Sequence, residues 1–94
     1  MNANSFIFEI VGIGTRKNGV SRKNNKPYDF TPVSLLYQVP GFTGQAAITL
    51  NLQPDDISAI QAATSFSVGG IFQAFAVEDS FRRMKLFMIT PVSF

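Results

Sequence analysis

The sequence contains no cysteine and no histidine. Without cysteine there is no disulfide and no thiolate nucleophile, which is consistent with a reducing compartment but also with many secreted proteins. Without histidine the chain lacks the commonest general base and metal ligand, and its serines and threonines have no histidine to activate them. We therefore expect no catalytic residue, no metal site and no cofactor.

Long hydrophobic runs are also missing. No stretch approaches the ~18–20 apolar residues that a membrane helix needs, and the apolar segment Phe6–Ile13 is interrupted by Glu9 and lacks the flanks of a signal peptide. The chain has 94 residues, 46% of them hydrophobic, with ten phenylalanines. This composition predicts a single domain, residues 1–94, rather than a disordered segment. We expect a cytoplasmic protein that does not associate with membranes.

Charge is scarce, at 15% of residues and a net +2, but it is sorted along the sequence. All eight basic residues lie in two clusters, and the six acidic residues lie outside both. The first cluster is Arg16, Lys17, Arg22, Lys23 and Lys26, and the second is Arg82, Arg83 and Lys85. Segregation of this kind creates a local positive field on a nearly neutral protein.

Apolar segments separated by turn residues predict five strands and one helix. The strands are expected over Ser5–Gly14, Lys26–Val39, Gln45–Leu52, Ile71–Val77 and Phe81–Val92, and the helix over Pro54–Ala63. Pro54 suits a first helical turn, and Asp55 and Asp56 suit the positive end of the helix dipole.

The polar segment Thr15–Asn25 connects the first two predicted strands. Asn18-Gly19 and Asn24-Asn25 are both turn signals. The segment is therefore either a β-hairpin arm or a disordered finger, and we favour a mobile arm that becomes ordered on binding. In the strand that follows, Tyr28, Phe30 and Pro32 share one face, and the prolines weaken it as a central strand.

The predicted order, three strands, a helix and two strands, is the element order of an OB fold. We expect an all-β protein, a five-stranded OB-like Greek-key barrel with one short helix between its third and fourth strands. An SH3-like barrel and a β-sandwich are the alternatives. OB folds bind oligonucleotides with the face of their second and third strands and with the first and fourth strand-connecting loops. The two basic clusters fall in or beside those loops.

Binding of single-stranded nucleic acid needs cations along the phosphate backbone and flat rings for unpaired bases. Tyr28 and Phe30 complete such a set within the fifteen residues from Arg16 to Phe30, and the second cluster is expected to form a second wall. The alternatives are a solvated hairpin whose rings belong to the core, and, for the second cluster, an edge strand protected by charge. Tyr37 and Phe42 are assigned to the core or to a dimer contact, the alternative being additional stacking surfaces near the second strand and its turn.

Apolar residues on both faces of the first and last strands predict a dimer or a higher oligomer, because one small barrel cannot bury both faces.

The run GVSRKNNKPYDF, Gly19–Phe30, follows a first strand rich in Phe and Ile. It resembles the single-stranded DNA-binding, helix-destabilising proteins of filamentous bacteriophages, over residues 12–30. The resemblance implies an OB-like barrel, a homodimer and sequence-tolerant coating of single-stranded DNA during phage or plasmid replication in the host cytoplasm. It also implies that Arg16, Arg22 and Lys26 contact phosphate and that Tyr28 stacks.

The predicted helix Pro54–Ala63 departs from this family, several members of which have only a short turn there. A non-catalytic protein–protein interaction module and a structural phage subunit are the alternative functions. The sequence does not distinguish DNA from RNA as the ligand.

Overall fold

The computed structural model describes residues 4–39, 41, 43–78 and 84–92. Within them lie six strands and one helix: β1 Asn4–Ile13, β2 Lys17–Val20, β3 Pro27–Tyr37, β4 Ala46–Leu52, α1 Pro54–Ala63, β5 Ile71–Glu78 and β6 Met84–Thr90. Every strand pair is antiparallel. The all-β class with one short helix is confirmed. The predicted number of five strands is wrong, because the polar segment before β3 contributes β2.

Strand β3 is the centre of the sheet. Its C-terminal half, residues 33–37, lies between β1 and β4, whereas its N-terminal half, residues 27–30, pairs with β2. Strands β5 and β6 follow on the other side of β1. In the described ranges no ladder joins β4 to β6, and the sheet is extended at one end by the β2–β3 hairpin.

The core lies between the inner face of this sheet and α1. Phe8 of β1 and Phe72 of β5 are fully buried and stack with ring centroids 5.5 Å apart. Ile60 of α1 is fully buried in the same cluster. Burying one such side chain contributes about 1.5–3 kcal/mol, so the sheet is held together mainly from this face.

Two prolines do not prevent β3 from being central. In an antiparallel strand the N–H and C=O of one residue point toward the same neighbour. The Pro32 carbonyl accepts a hydrogen bond from the Gly14 N–H at 2.7 Å. The missing N–H of Pro32 therefore faces the segment after β1, which is not a strand, and costs no hydrogen bond to β4. Pro32 is therefore compatible with a central position of β3.

Strand β6 does not keep the alternation that its sequence predicts. Leu86 and Met88 are expected on one face, and Phe87 and Ile89 on the other. Leu86 is buried, but Met88 is 67% exposed and Ile89 packs on the core. The cause is an extra residue in β6 between its pairings with Gln73 and Phe75, where Met88 has a φ of 53°. A bulge of this kind reverses the faces of the residues that follow it.

The helix α1 has the predicted bounds, Pro54–Ala63. It begins with proline, and the Gln53 N–H just before it donates to Asp56 Oδ2 at 3.1 Å, which satisfies a backbone donor that the helix itself leaves free. This helix is ten residues long, and the described part of the chain holds no helix with the length and apolarity needed to cross a membrane.

Candidate nucleic-acid interface

The first basic cluster lies on a two-stranded hairpin that, together with Arg16 just before it, covers residues 16–30 and is here called the wing. Its turn is closed by hydrogen bonds of 2.9 Å from the Ser21 N–H to the Lys26 carbonyl and from the Asn25 N–H to the Ser21 carbonyl. Asn25 has a φ of 53°, a conformation that asparagine tolerates better than most residues. Of the two alternatives, hairpin arm or disordered finger, the structure has the hairpin.

The predicted turn at Asn18-Gly19 is wrong. These residues lie inside β2, opposite Asp29 and Tyr28. The turn is formed further along, where the Asn24-Asn25 signal was also present.

One face of the wing carries the aromatic residues. Lys17 lies opposite Phe30, and Gly19 lies opposite Tyr28, so strand alternation puts all four on this face. The Tyr28 and Phe30 rings contact each other with centroids 6.1 Å apart and a tilt of 38°. Tyr28 is 43% exposed and Phe30 is half-buried. Neither ring belongs to the buried core cluster.

Gly19 allows the Tyr28 ring to lie across the wing. A Cβ atom at position 19 would stand 2.9 Å from Tyr28 Oη and 3.2 Å from the ring carbon that carries it. Only glycine leaves room for this close approach, and an aromatic ring placed over a strand glycine supports an otherwise weak strand. The pairing therefore fixes Tyr28 as a flat, solvent-facing surface.

The opposite face of the wing carries an ion pair. Arg16 Nε donates to Asp29 Oδ1 at 2.7 Å, and a second guanidinium nitrogen of Arg16 donates to Oδ2. The two side chains remain 61% and 30% exposed. The hydrogen bonds from Arg16 lower the pKa of the Asp29 carboxyl and raise the pKa of the guanidinium. Arg16 is thus engaged with Asp29 and points away from the aromatic face.

The other cations of the first cluster are exposed. Lys17 lies on the aromatic face, Lys26 is two residues before Tyr28 in the chain, and Arg22 and Lys23 lie in the turn between β2 and β3. Positive charge therefore lies at both ends of the Tyr28–Phe30 pair.

The second basic cluster is described only in part, because Arg82 and Arg83 lie outside the described residues. Lys85 is exposed and lies opposite Val77 of β5. The neighbouring residue Ala76 pairs with Asn4, the first residue of β1, whereas the wing follows the last residue of β1, Ile13. Lys85 and the wing are therefore at opposite ends of β1.

A groove of about 600 Å³ opens beside the aromatic face of the wing. It forms because β4 leaves β3 after the Leu52–Thr31 pair and turns into α1, while β3 runs on into the wing. One side of the groove is Pro27–Phe30, and the other is formed by Asn51, Gln53 and Pro54. The last three residues were not predicted as site residues, since the sequence indicates only a polar strand face and a helix start.

Tyr37 is half-buried and packs against the core, the first of its two assigned places. Its ring lies 5.2 Å from that of Phe6 and 5.3 Å from that of Phe8, centroid to centroid. Phe42, assigned with it, lies outside the described residues.

Acidic side chains do not gather into a metal site in the described ranges, where no group of three or more possible ligands comes together. What the wing offers is flat apolar surface, cations and, across the groove, side-chain amides.

No protein-family model, no curated protein and no solved structure matches the chain.

Proposed function

We propose that this protein binds single-stranded nucleic acid, DNA in the first instance, through the wing and without strict sequence preference. The observation that carries the proposal is the wing's aromatic face, where Tyr28 and Phe30 are held outside the core between Lys17 and Lys26. Unpaired bases stack on such rings whatever their identity, and each stacked base contributes about 1–3 kcal/mol.

In this mechanism the cations capture the strand and the rings then hold it. Lys17, Arg22, Lys23 and Lys26 neutralise phosphates, and Tyr28 and Phe30 stack on bases. Arg16 has a different role from the direct phosphate contact that the resemblance implies. It neutralises Asp29, whose carboxylate would otherwise repel phosphate beside the groove.

We also propose that the sheet is part of an OB-like barrel. The neighbours β4–β3–β1–β5–β6 follow the strand order of an OB barrel, which would close between β4 and β6. The helix α1 packs mainly on β6 and also contacts β3 and β4, at the place where such a barrel is closed. Lys85 would then border the path of the bound single strand at its far end. The resemblance to filamentous phage proteins implies that this binding serves phage or plasmid replication.

We also propose that the protein forms a homodimer through the outer face of the sheet. Ile7, Ile71, Phe75 and Phe87 lie on the outer face of the sheet, where Phe75 stacks on Phe87 with centroids 5.9 Å apart. Ile7, Ile71 and Phe87 are exposed. A second copy that covers this apolar face would remove it from water. The same face favours the rival function, a structural subunit that assembles without nucleic acid. Light scattering with and without oligonucleotide separates the two functions.

The test of the proposed function is a fluorescence titration with oligo(dT), oligo(U) and duplex DNA at several salt concentrations. The logarithm of the affinity is expected to fall with the logarithm of salt by about 0.7 for each phosphate neutralised on a single strand. Three or four phosphates per protomer predict a slope of about −2 to −3. A flat salt response, or preference for duplex DNA, would overturn the proposal.

A further inference from the structure

Asn51 stands on the groove wall without a polar partner across the strand pair. Two residues earlier on the same face of β4, Thr49 lies opposite Ser34, and the two hydroxyl oxygens are 2.9 Å apart in a hydrogen bond. Asn51 instead lies opposite Pro32, whose side chain has neither donor nor acceptor. The Asn51 side chain is exposed and lines the groove. Its amide therefore offers a donor and an acceptor to whatever enters.

On the other side of the groove, Tyr28 and Phe30 contact each other at a tilt of 38° and offer two adjacent ring surfaces. The same side also includes Pro27 and the Asp29 carboxylate, which accepts a hydrogen bond from Arg16. A volume of about 600 Å³ is within the ~300–1,000 Å³ range of sites that hold small molecules. The groove thus combines a stacking surface, a facing amide and, along the wing, cations.

We propose that this groove holds one unpaired nucleobase and that Asn51 reads the base's hydrogen-bonding edge, with Gln53 as a second polar group beside it. The inference rests on the proposed function, since a base enters only if the wing has captured a single strand. An asparagine amide pairs with the adjacent donor and acceptor on a base edge, and in a single strand that edge is free of its complementary base. Asn51 is accordingly a specificity-determining residue on an otherwise sequence-tolerant surface.

The test compares oligo(dT) with an oligomer in which difluorotoluene replaces thymine. This analogue has the shape of thymine without its hydrogen-bonding groups. For each protein variant the measured quantity is the ratio of the two dissociation constants, analogue over oligo(dT). We expect Asn51→Ala to lower this ratio by about two- to tenfold, the value of one net hydrogen bond. The salt slope should stay unchanged, because no phosphate contact is lost.

Thr49→Ala is the matched control. It removes a polar side chain from the same strand and face, outside the groove lining, and should leave the ratio as in the parent protein. Circular dichroism checks that both variants are folded. An Asn51→Ala protein that binds oligo(dT) and keeps the parent ratio overturns the inference and leaves the proposed function standing. If the parent protein binds no oligonucleotide at all, both are overturned.

Discussion

The wing and the sheet are built from the same β-ladders but stabilised in different ways. On the inner face of the described strands, nine hydrophobic residues are buried in one cluster with Ile60 of α1. On the wing, all four residues of β2 are exposed, and the opposite residues of β3 are exposed or half-buried. The wing is therefore held by backbone hydrogen bonds, by the ring of Tyr28 over Gly19 and by the Arg16–Asp29 pair.

This difference explains why aromatic residues have two roles in one chain. Phe8 and Phe72 are enclosed and contribute to folding. Tyr28 and Phe30 lie beyond the end of the core, where burial within the chain is incomplete. Rings that are kept in place without being enclosed are available to a ligand, so folding and binding are expected to depend on different aromatic residues.

The largest expected effect is on the sheet. Phe8→Ala removes a fully buried ring and should lower the free energy of unfolding by about 3–5 kcal/mol, because it combines lost burial with a cavity. Tyr28→Ala removes an aromatic ring from the wing and should cost no more than about 1 kcal/mol, the range of cross-strand pairs. Urea denaturation followed by circular dichroism measures both.

If Phe8→Ala does not fold, Ile10→Val probes the same core more gently. It is expected to cost about 0.5–1.5 kcal/mol. Equal losses of stability from the core variants and from Tyr28→Ala would show that the wing and the sheet are not distinct in the way described.

The second effect is on binding and concerns only the wing. Tyr28→Ala should weaken affinity for oligo(dT) by about 1–3 kcal/mol, which is roughly five- to 150-fold, because a stacking surface is lost. Tyr28→Phe keeps the ring and should bind nearly as the parent does. Fluorescence titration at one fixed salt concentration measures the change.

Val20→Ala is the control for this prediction. Val20 is an exposed apolar residue of β2 opposite Pro27, on the face away from the two rings. Its loss should leave the affinity unchanged. Parent-like binding by a folded Tyr28→Ala protein would assign Tyr28 a role in the wing's own structure alone.

The regular parts of the sheet could be predicted from the sequence. In β4 the alternation of Ala46, Ile48, Leu50 and Leu52 with more polar residues matches the observed burial, because hydrophobic periodicity directly reflects which face is covered. The bounds of α1 follow from proline and two acidic residues at its start. Both features depend on residues close together in the sequence, and such features can be predicted without knowing how the strands pair.

The sequence-based predictions that were wrong or incomplete concern features that depend on pairing between residues distant in the sequence. Whether Asn18-Gly19 forms a turn or a strand is decided by its partners Asp29 and Tyr28, which supply backbone hydrogen bonds and a covering ring. The bulge at Met88 is visible only in the register against β5. Asn51 enters the candidate site because β4 ends beside the wing, a meeting that no single segment encodes.

The Arg16–Asp29 pair is a contact between distant residues that could have been predicted from the register of the hairpin. In a hairpin turning at Arg22–Asn25, these two residues become diagonal neighbours on one face, a position at which opposite charges attract. Asp29 comes directly after Thr15–Tyr28, a stretch with no acidic residue, so the clustering of basic residues alone does not reveal the pair. Once the register is assigned, Arg16, which the resemblance implies to be a phosphate ligand, is identified as the partner of the Asp29 carboxylate.

The smallest expected effect separates the two faces of the wing. Asp29→Asn removes a negative charge and leaves Arg16 without its ion-pair partner, so Arg16 becomes available to phosphate. Affinity for oligo(dT) should rise, and the salt slope should steepen by up to about 0.7, the value of one added contact. Weaker binding with an unchanged slope would mean that Arg16 only supports the hairpin.

The pH dependence of folding stability gives a second test of the Arg16–Asp29 pair. Arg16 lowers the pKa of Asp29 in the folded chain by hydrogen bonding, so protons bind more tightly to the unfolded chain. The pair's contribution is then fully present above the ordinary aspartate pKa of about 3.9 and is lost as pH falls through the lowered folded value. NMR titration of the Asp29 carboxyl carbon should give this lowered pKa, and Arg16→Gln should move it upward. An Asp29 pKa that is the same in both proteins would show that the ion pair does not persist in solution, and Arg16 would then be free to meet phosphate without any substitution.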